Sequence, residues 1–344
     1  MQFVKLGFRD VLIKPRFTTL SSRSEVNLLR TFTFPNSMQS WEGIPIVSSN
    51  MDTTGTFEIA KELAKHKMLT CIHKFYDIEE WTEFLAELND DEKEHIAVSS
   101  GITTEDLSKL DKIISMDDKI KWICLDVANG YMESFHTAVS QIRERYPNKI
   151  IIAGNIADIE GYKLLSDLKV DIIKAGIGGG SACTTRIKTG VGYPQLSMIM
   201  DIKEDSHKYP HSYLMSDGGC CVPGDICKAF GAGADFVMLG GMFAGHDESG
   251  GDIVRDDKGR LCREFYGMSS KEAMETHYET VNPYRTSEGK SVLIPFRGEI
   301  EHTIRDILGG LRSACTYTNS KTIGEFTGGV SFIRVQEQEN RVYS

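Results

Sequence analysis

Short unbroken apolar or β-branched runs recur along this chain, separated by stretches of helical periodicity. The runs are Ile44–Ser48, Met68–Ile72, Ile96–Ser99, Trp122–Val127, Lys149–Ala153, Val170–Ala175, Tyr213–Ser216 and Asp235–Leu239. Most are apolar throughout instead of alternating, the pattern of strands covered on both faces. Between them, Thr56–His66 and Ile78–Leu88 repeat apolar residues at three- and four-residue intervals, as amphipathic helices do. The alternation predicts βαβ units. About eight of them in one chain predict an α/β fold of the (β/α)8 TIM-barrel type, for which ~250 residues is typical and insertions are common. A doubly wound open sheet is the alternative, because periodicity does not record closure.

The residues at the end of each run favour the barrel. Asn50-Met51-Asp52, His73-Lys74, Asp126-Val127-Ala128-Asn129-Gly130, Gly154-Asn155, Gly176–Cys183, Asp217-Gly218-Gly219 and Gly240-Gly241 all stand at C-terminal strand ends, where barrel active sites are built. Gly, Asn and Asp also make ordinary turns, but seven such groups on one side outweigh that account. The stretches before Ile44 and after Gly241 exceed what a barrel needs. They imply an N-terminal extension and loop insertions around the site, one of them a hairpin-like piece from Asp252 to Arg263. With no internal linker or low-complexity tract, residues 1–344 are expected to form a single domain.

Composition narrows the function. The chain has 344 residues, is 40% hydrophobic and carries a net charge of −10. That balance argues against nucleic acid as a partner, since phosphate-neutralising surfaces are rich in Lys and Arg. No apolar stretch reaches the ~18 residues of a membrane span, and the first residues lack a signal-peptide layout, so a cytoplasmic protein is expected. The 8 cysteines show no CxxC spacing, which disfavours a structural zinc site and fits reduced thiols.

The richest chemistry lies in Gly176-Ile-Gly-Gly-Gly-Ser-Ala-Cys183-Thr184-Thr185-Arg186, directly after a strand run. Glycines there let the backbone turn its N–H and C=O groups toward a ligand. Cys183 is the candidate nucleophile, with Thr185 as a proton relay if a carboxylate stands behind it. The alternative for Thr184 and Thr185 is to cap the following helix. Asp217-Gly218-Gly219 and Gly240-Gly241 fall where barrels bind phosphate through backbone amides. With Asp217 accepting from ribose hydroxyls, they describe a nucleoside monophosphate site. A later group, Gly267-Met268-Ser269, Tyr284-Arg285-Thr286-Ser287-Glu288-Gly289 and Arg312-Ser313-Ala314-Cys315-Thr316, reads in part as a loop over the barrel mouth.

These segments together, GIGGGSACTTRIKTGVGYPQ, SDGG, FVMLGGMFAG, FYGMSS, YRTSEGK and GGLRSACTY, with LGFRDVLIKP and SNMDT at the start, resemble the IMP dehydrogenase/GMP reductase family over essentially the whole chain. The family usually has Pro where this chain has Gly179. The resemblance implies a barrel enzyme in which Cys183 attacks C2 of a bound purine mononucleotide. Two features point to its reductase side: Lys74 to Ile96 leaves no room for the nucleotide-sensing modules common in dehydrogenases, and the Ser269–Glu288 segment is compact. The implied reaction is GMP plus NADPH to IMP, ammonia and NADP, a step of purine salvage, with Cys183, Thr185 and Glu288 catalytic.

Position by position, the resemblance assigns the nucleotide to Asp217, Gly218, Gly219, Gly240, Gly241, Gly267, Met268, Ser269, Arg285, Thr286, Ser287 and Gly289. It assigns NADPH to Lys74, Asp126, Val127, Ala128, Met268, Tyr284, Arg285, Ser313, Ala314, Cys315 and Thr316, with Ser22 and Arg23 reached by the adenosine end from a neighbouring subunit. No GxGxxG follows an early strand, so the dinucleotide rests on resemblance alone. A potassium ion on Gly178, Gly180, Cys183 and Arg186, and a homotetramer, are implied in the same way. Oxidation of IMP to XMP, and a silent nucleotide-sensing barrel, stay open as alternatives. Joint retention of Cys183, Thr185 and Glu288 weighs against the silent barrel.

Overall fold

The computed structural model describes residues 4–273 and 287–336. Its centre is a closed barrel of eight parallel strands: β4 (Ile46–Ser48), β5 (Leu69–Ile72), β6 (Ile96–Ser100), β7 (Trp122–Asp126), β8 (Ile150–Ile156), β9 (Ile172–Ala175), β10 (Tyr213–Asp217) and β11 (Phe236–Leu239). β11 closes on β4 through Val237↔Ile46, which excludes the open sheet. Every predicted run overlaps one barrel strand, and β6, β8 and β10 continue past the C-terminal end of theirs. Two, β4 and β9, begin two residues later than expected, for local reasons. Pro45 has no N–H for the ladder, so the first barrel strand starts at Ile46. Asp171 turns out of the sixth run: its carboxylate accepts from the Ile151 amide at 2.8 Å and from Arg143 at 2.5 Å, and β9 starts one residue on.

Helices lie between the strands, as the period of the intervening segments requires. Phe57–Lys65 is capped by Thr56, whose Oγ1 accepts from the Ile59 amide at 3.2 Å; such a cap contributes about 1 kcal/mol. Its Phe57, Ile59, Ala60, Leu63 and Ala64 are buried against the barrel wall.

The remaining strands decide which mouth of the barrel stays open. The hairpin of β2 (Arg30–Phe34) and β3 (Gln39–Gly43) sends Phe32, Phe34 and Trp41 into the barrel's interior cluster. Phe32 stands 4.3 Å from Phe236 between ring centroids, and Trp41 meets Trp122 edge-on at 5.5 Å. Trp122, Tyr213 and Phe236 begin their strands, so this aromatic plug closes the N-terminal mouth. Nearby, β1 (Val11–Ile13) pairs with β15 (Phe332–Arg334). Near the opposite mouth, β12 (Ile253–Arg255) and β13 (Leu261–Tyr266) form the expected hairpin, and β14 (Ser291–Pro295) adds a third strand that the sequence did not announce. Phe265 from this sheet packs with Ala182 and Ala244, tying the insertion to the cysteine loop. No described helix is long and apolar enough to cross a membrane.

Candidate active site

The C-terminal strand ends enclose a cavity of about 290 Å³. Its walls bring together Asp126, Val127, Ala128, Gly178, Gly180, Cys183, Thr185, Asp217, Gly218, Gly219, Gly240, Gly241, Gly267, Met268, Ser269, Glu288 and Gly289. Seven strand-end segments were expected to converge here, and six of them supply cavity residues. The exception is His73-Lys74: Lys74 does not line the cavity, and its Nζ donates to Asp106 Oδ1 at 2.9 Å.

Cys183 owes its setting to a short antiparallel bridge with Gly289. The Thr184 amide donates to the Glu288 carbonyl at 2.8 Å, and the Lys290 amide to the Ala182 carbonyl at 2.9 Å. A third segment backs the pair, since the Glu288 amide donates to the Ser269 carbonyl at 3.1 Å and the Ser287 hydroxyl to the Gly289 carbonyl at 2.9 Å. The close stacking requires glycine: a Cβ on Gly289 would stand 2.7 Å from the Ser270 nitrogen.

On that frame the side chains line up. The Cys183 thiol donates to Thr185 Oγ1 at 3.2 Å, and the Thr185 hydroxyl donates to Glu288 Oε2 at 2.7 Å. Thiol, hydroxyl and carboxylate thus form one continuous proton path at the cavity wall. Thr184 occupies the position before helix Thr185–Thr189 without capping it, and its Oγ1 is buried without a hydrogen-bond partner. Cys183 and Cys220 are the partly exposed thiols on this wall, and burial pushes the Cys220 thiol well up, whereas Cys71, Cys124, Cys227, Cys262 and Cys315 are buried; all eight cysteines are free.

The floor is charged. Asp217 accepts from Asn155 Nδ2 at 2.8 Å, and the same nitrogen donates to the Gly176 carbonyl at 2.8 Å. Burial pushes the Asp217 carboxyl up, against the opposing pull of Lys174 and Asn155. Lys174 on β9 is itself buried; its ammonium binds Asp126 and stands 3.9 Å from Asp217. Burial alone would lower its pKa, yet Asp126, Cys124 and Asp217 outweigh that and raise it. Gly218 and Gly219 take φ of +89° and +85°, and a Cβ on Gly218 would approach the Gly180 nitrogen to 3.0 Å, so the two loops touch backbone to backbone.

Other assigned residues lie apart. Ser22 and Arg23 begin a short 3-10 turn that packs against helix Ile300–Tyr317, which carries Ser313, Ala314, Cys315 and Thr316. None of these lines the cavity. Ser287 lies beside Glu288 but outside the cavity wall. Tyr284, Arg285 and Thr286 lie outside the described residues. Arg186 packs its stem on Gly178, donates through Nη2 to the Tyr193 carbonyl, and offers its own carbonyl to the Gly190 amide at 3.1 Å. The Gly180 carbonyl accepts from the Cys183 amide at 3.1 Å, which leaves it a second lone pair.

Sequence reasoning passed over two contributors. Lys174 sits in the apolar run of β9, where a lone lysine gives no signal until the strands are registered. Phe265 reaches the cavity from the inserted sheet, and only the fold brings it there.

Comparison with known proteins agrees with this geometry. The family model described as IMP dehydrogenase / GMP reductase domain matches residues 5–341. A GMP reductase from Citrobacter koseri is 52% identical over 341 residues, covering 99% of this chain and 98% of the relative. One from Shewanella halifaxensis is 49% identical over 342 residues with the same coverage. Among solved structures, the inosine 5′-monophosphate dehydrogenase of Legionella pneumophila superposes with a TM-score of 0.80 at 32% identity, covering 97% of this chain and 99% of that one. A Trypanosoma brucei GMP reductase solved with guanosine 5′-monophosphate superposes with a TM-score of 0.85 over 97% and 96% of the two chains; at 23% identity that likeness concerns the fold.

Proposed function

The chain belongs to the IMP dehydrogenase/GMP reductase family, and on that premise we propose that it catalyses the NADPH-dependent reductive deamination of GMP to IMP, releasing ammonia, in purine salvage. The observation that carries the reading is the unbroken line from Cys183 through Thr185 to Glu288 beside a cavity floored by Asp217.

Guanine's own resistance to deamination dictates the chemistry. Its 2-amino group cannot leave as amide ion, so nitrogen must be protonated before the C–N bond breaks. The Cys183 sulfur adds to C2 while its proton passes to Thr185 and on to Glu288; the same relay then returns a proton to the amine, which departs as ammonia. In the remaining thioimidate C2 is electrophilic, and NADPH held beside it would supply the hydride; the C–S bond then breaks to give IMP and a thiolate, which takes one proton from solvent to restore the thiol. Nitrogen, hydride and protons balance without a water nucleophile, which is what separates this reaction from oxidation of IMP to XMP.

Asp217 accepts the ribose hydroxyls. The amides of Gly218, Gly219, Gly240 and Gly241 take the phosphate, and Gly267, Met268, Ser269, Ser287 and Gly289 line the base, with Arg285 and Thr286 assigned by resemblance. Asp126, Val127 and Ala128 share the cavity with Cys183, which suits a nicotinamide stacked beside the purine. Lys74 and Tyr284 are assigned to the same cofactor by resemblance. Ser22, Arg23, Ser313, Ala314 and Thr316 form a separate patch, with Cys315 on the same helix buried, which suits the adenosine end of a cofactor held by another subunit of a homotetramer. A potassium ion would sit on the carbonyls of Gly178, Gly180, Cys183 and Arg186, and would stiffen the cysteine loop. The protein is placed in the cytoplasm, where NADPH and free thiols are both available.

The test is absorbance at the nicotinamide band. GMP with NADPH should give sustained loss of absorbance, and IMP with NAD negligible gain; the opposite pattern would favour the dehydrogenase, and silence in both the sensing barrel.

A further inference from the structure

Lys174 is a fully buried lysine that the proposed reaction does not use. It is aligned on β9 with Gly154 of β8, which is aligned in turn with Asp126 of β7. Gly154 makes the reach possible: a Cβ there would stand 2.6 Å from the Lys174 Cβ and 2.5 Å from its carbonyl oxygen. With that space empty, the ammonium crosses to Asp126 and also faces Asp217 at 3.9 Å, from the neighbouring β10. The titratable groups around it are Asp126, Asp217, Cys124 and, deeper in the barrel, Cys71.

One cation between two carboxylates is an unusual core element. A buried ammonium is costly unless paired, and two carboxylates facing one another without a cation between them repel, which disfavours their joint ionisation. Both carboxylates also line the cavity, Asp217 being assigned above to the nucleotide and Asp126 to the nicotinamide.

We propose that Lys174 is a positioning residue, the counter-ion shared by Asp126 and Asp217 that keeps Asp217 charged and aimed into the cavity, so that Asp217 can accept the ribose hydroxyls of the nucleotide. This rests on the assignment of GMP to the cavity. Lys174 touches no ligand; it acts through Asp217. Without it, Asp217 takes up a proton or turns away, and the ribose loses its acceptor while the phosphate and base keep theirs.

The experiment compares equilibrium binding of GMP and of 2′,3′-dideoxy-GMP, which lacks the hydroxyls, to wild-type protein and to Lys174→Met, with thermal melting as the folding control. Hydrogen bonds to a charged acceptor predict that wild type prefers GMP by about 10- to 100-fold. In Lys174→Met that preference should collapse to about threefold or less, with dideoxy-GMP affinity unchanged. Equal loss for both ligands would mean a merely structural lysine, and an intact preference would overturn the proposal outright. If Lys174→Met fails to fold, Asp126→Asn carries the test: with Asp217 as the lysine's remaining carboxylate partner, the preference should persist or widen, and its collapse would contradict the counter-ion role. Wild-type protein that binds neither ligand would instead overturn the GMP assignment itself.

Discussion

Thr185 and Glu288 are 103 positions apart, yet the threonine hydroxyl donates to the glutamate carboxylate at 2.7 Å. The contact is held from behind by the backbone bridge between Cys183 and Gly289, which fixes both side chains relative to the thiol. A hydroxyl alone is a poor acid or base at neutral pH; coupled to a carboxylate, it passes protons in either direction. The relay is therefore a property of two loops meeting.

Glu288→Gln should separate the chemical steps. A positioned acid or base contributes ~10²–10⁴-fold, so GMP reduction should fall by about that factor. The reverse half-reaction, oxidation of IMP by NADP to the enzyme-bound thioimidate, should suffer much less in single-turnover measurements. Thr185→Val should show the same pattern. Equal loss in both directions would mean that Glu288 merely orders the loop.

Cys183→Ala should abolish turnover while GMP affinity, measured by calorimetry, stays largely intact, because the proposed ribose and phosphate contacts come from β10, β11 and their loops. Substantial residual activity would remove the covalent step.

Alkylation should sort the thiols by exposure. Cys221 is exposed and Cys183 and Cys220 partly so, while burial pushes the Cys220 thiol well up and raises Cys227 and Cys315 to about 12, which holds all three as inert thiols. Peptide mass spectrometry after brief iodoacetamide treatment should find Cys221 and Cys183 modified, and saturating GMP should protect Cys183 alone.

Gly176→Ala should damage both fold and site. Its Cβ would fall 1.9 Å from the Asp217 carbonyl oxygen, where no rotamer can relieve the overlap. Overpacking of this kind costs ~1–3 kcal/mol, so a lowered melting temperature should accompany weaker GMP binding.

The barrel was legible because most strands are continuous apolar runs and the turns after them carry small or polar residues; Phe236–Leu239 with Gly240 next in line shows both signals side by side. The Cys183 loop was legible for the same reason. The bridge to Gly289 was not, since a two-residue pairing across a long insertion leaves no periodic trace, and Glu288 was tied to Thr185 only through the family resemblance. The plug of Phe32, Phe34 and Trp41 was passed over because its strands alternate and lie outside the βαβ rhythm. Lys174 was hidden by its own strand: one charge among Ile172, Ile173 and Ala175 gains meaning only once Asp126 and Asp217 are known to face it.

The central claim is that the Cys183 cavity deaminates GMP and reduces the product of that step. Its most direct test is product stoichiometry at completion, with GMP and NADPH as the sole substrates and IMP, ammonia and NADP quantified together. Equal amounts of all three are predicted, with no XMP. Loss of NADPH without matching ammonia, or XMP among the products, would contradict it.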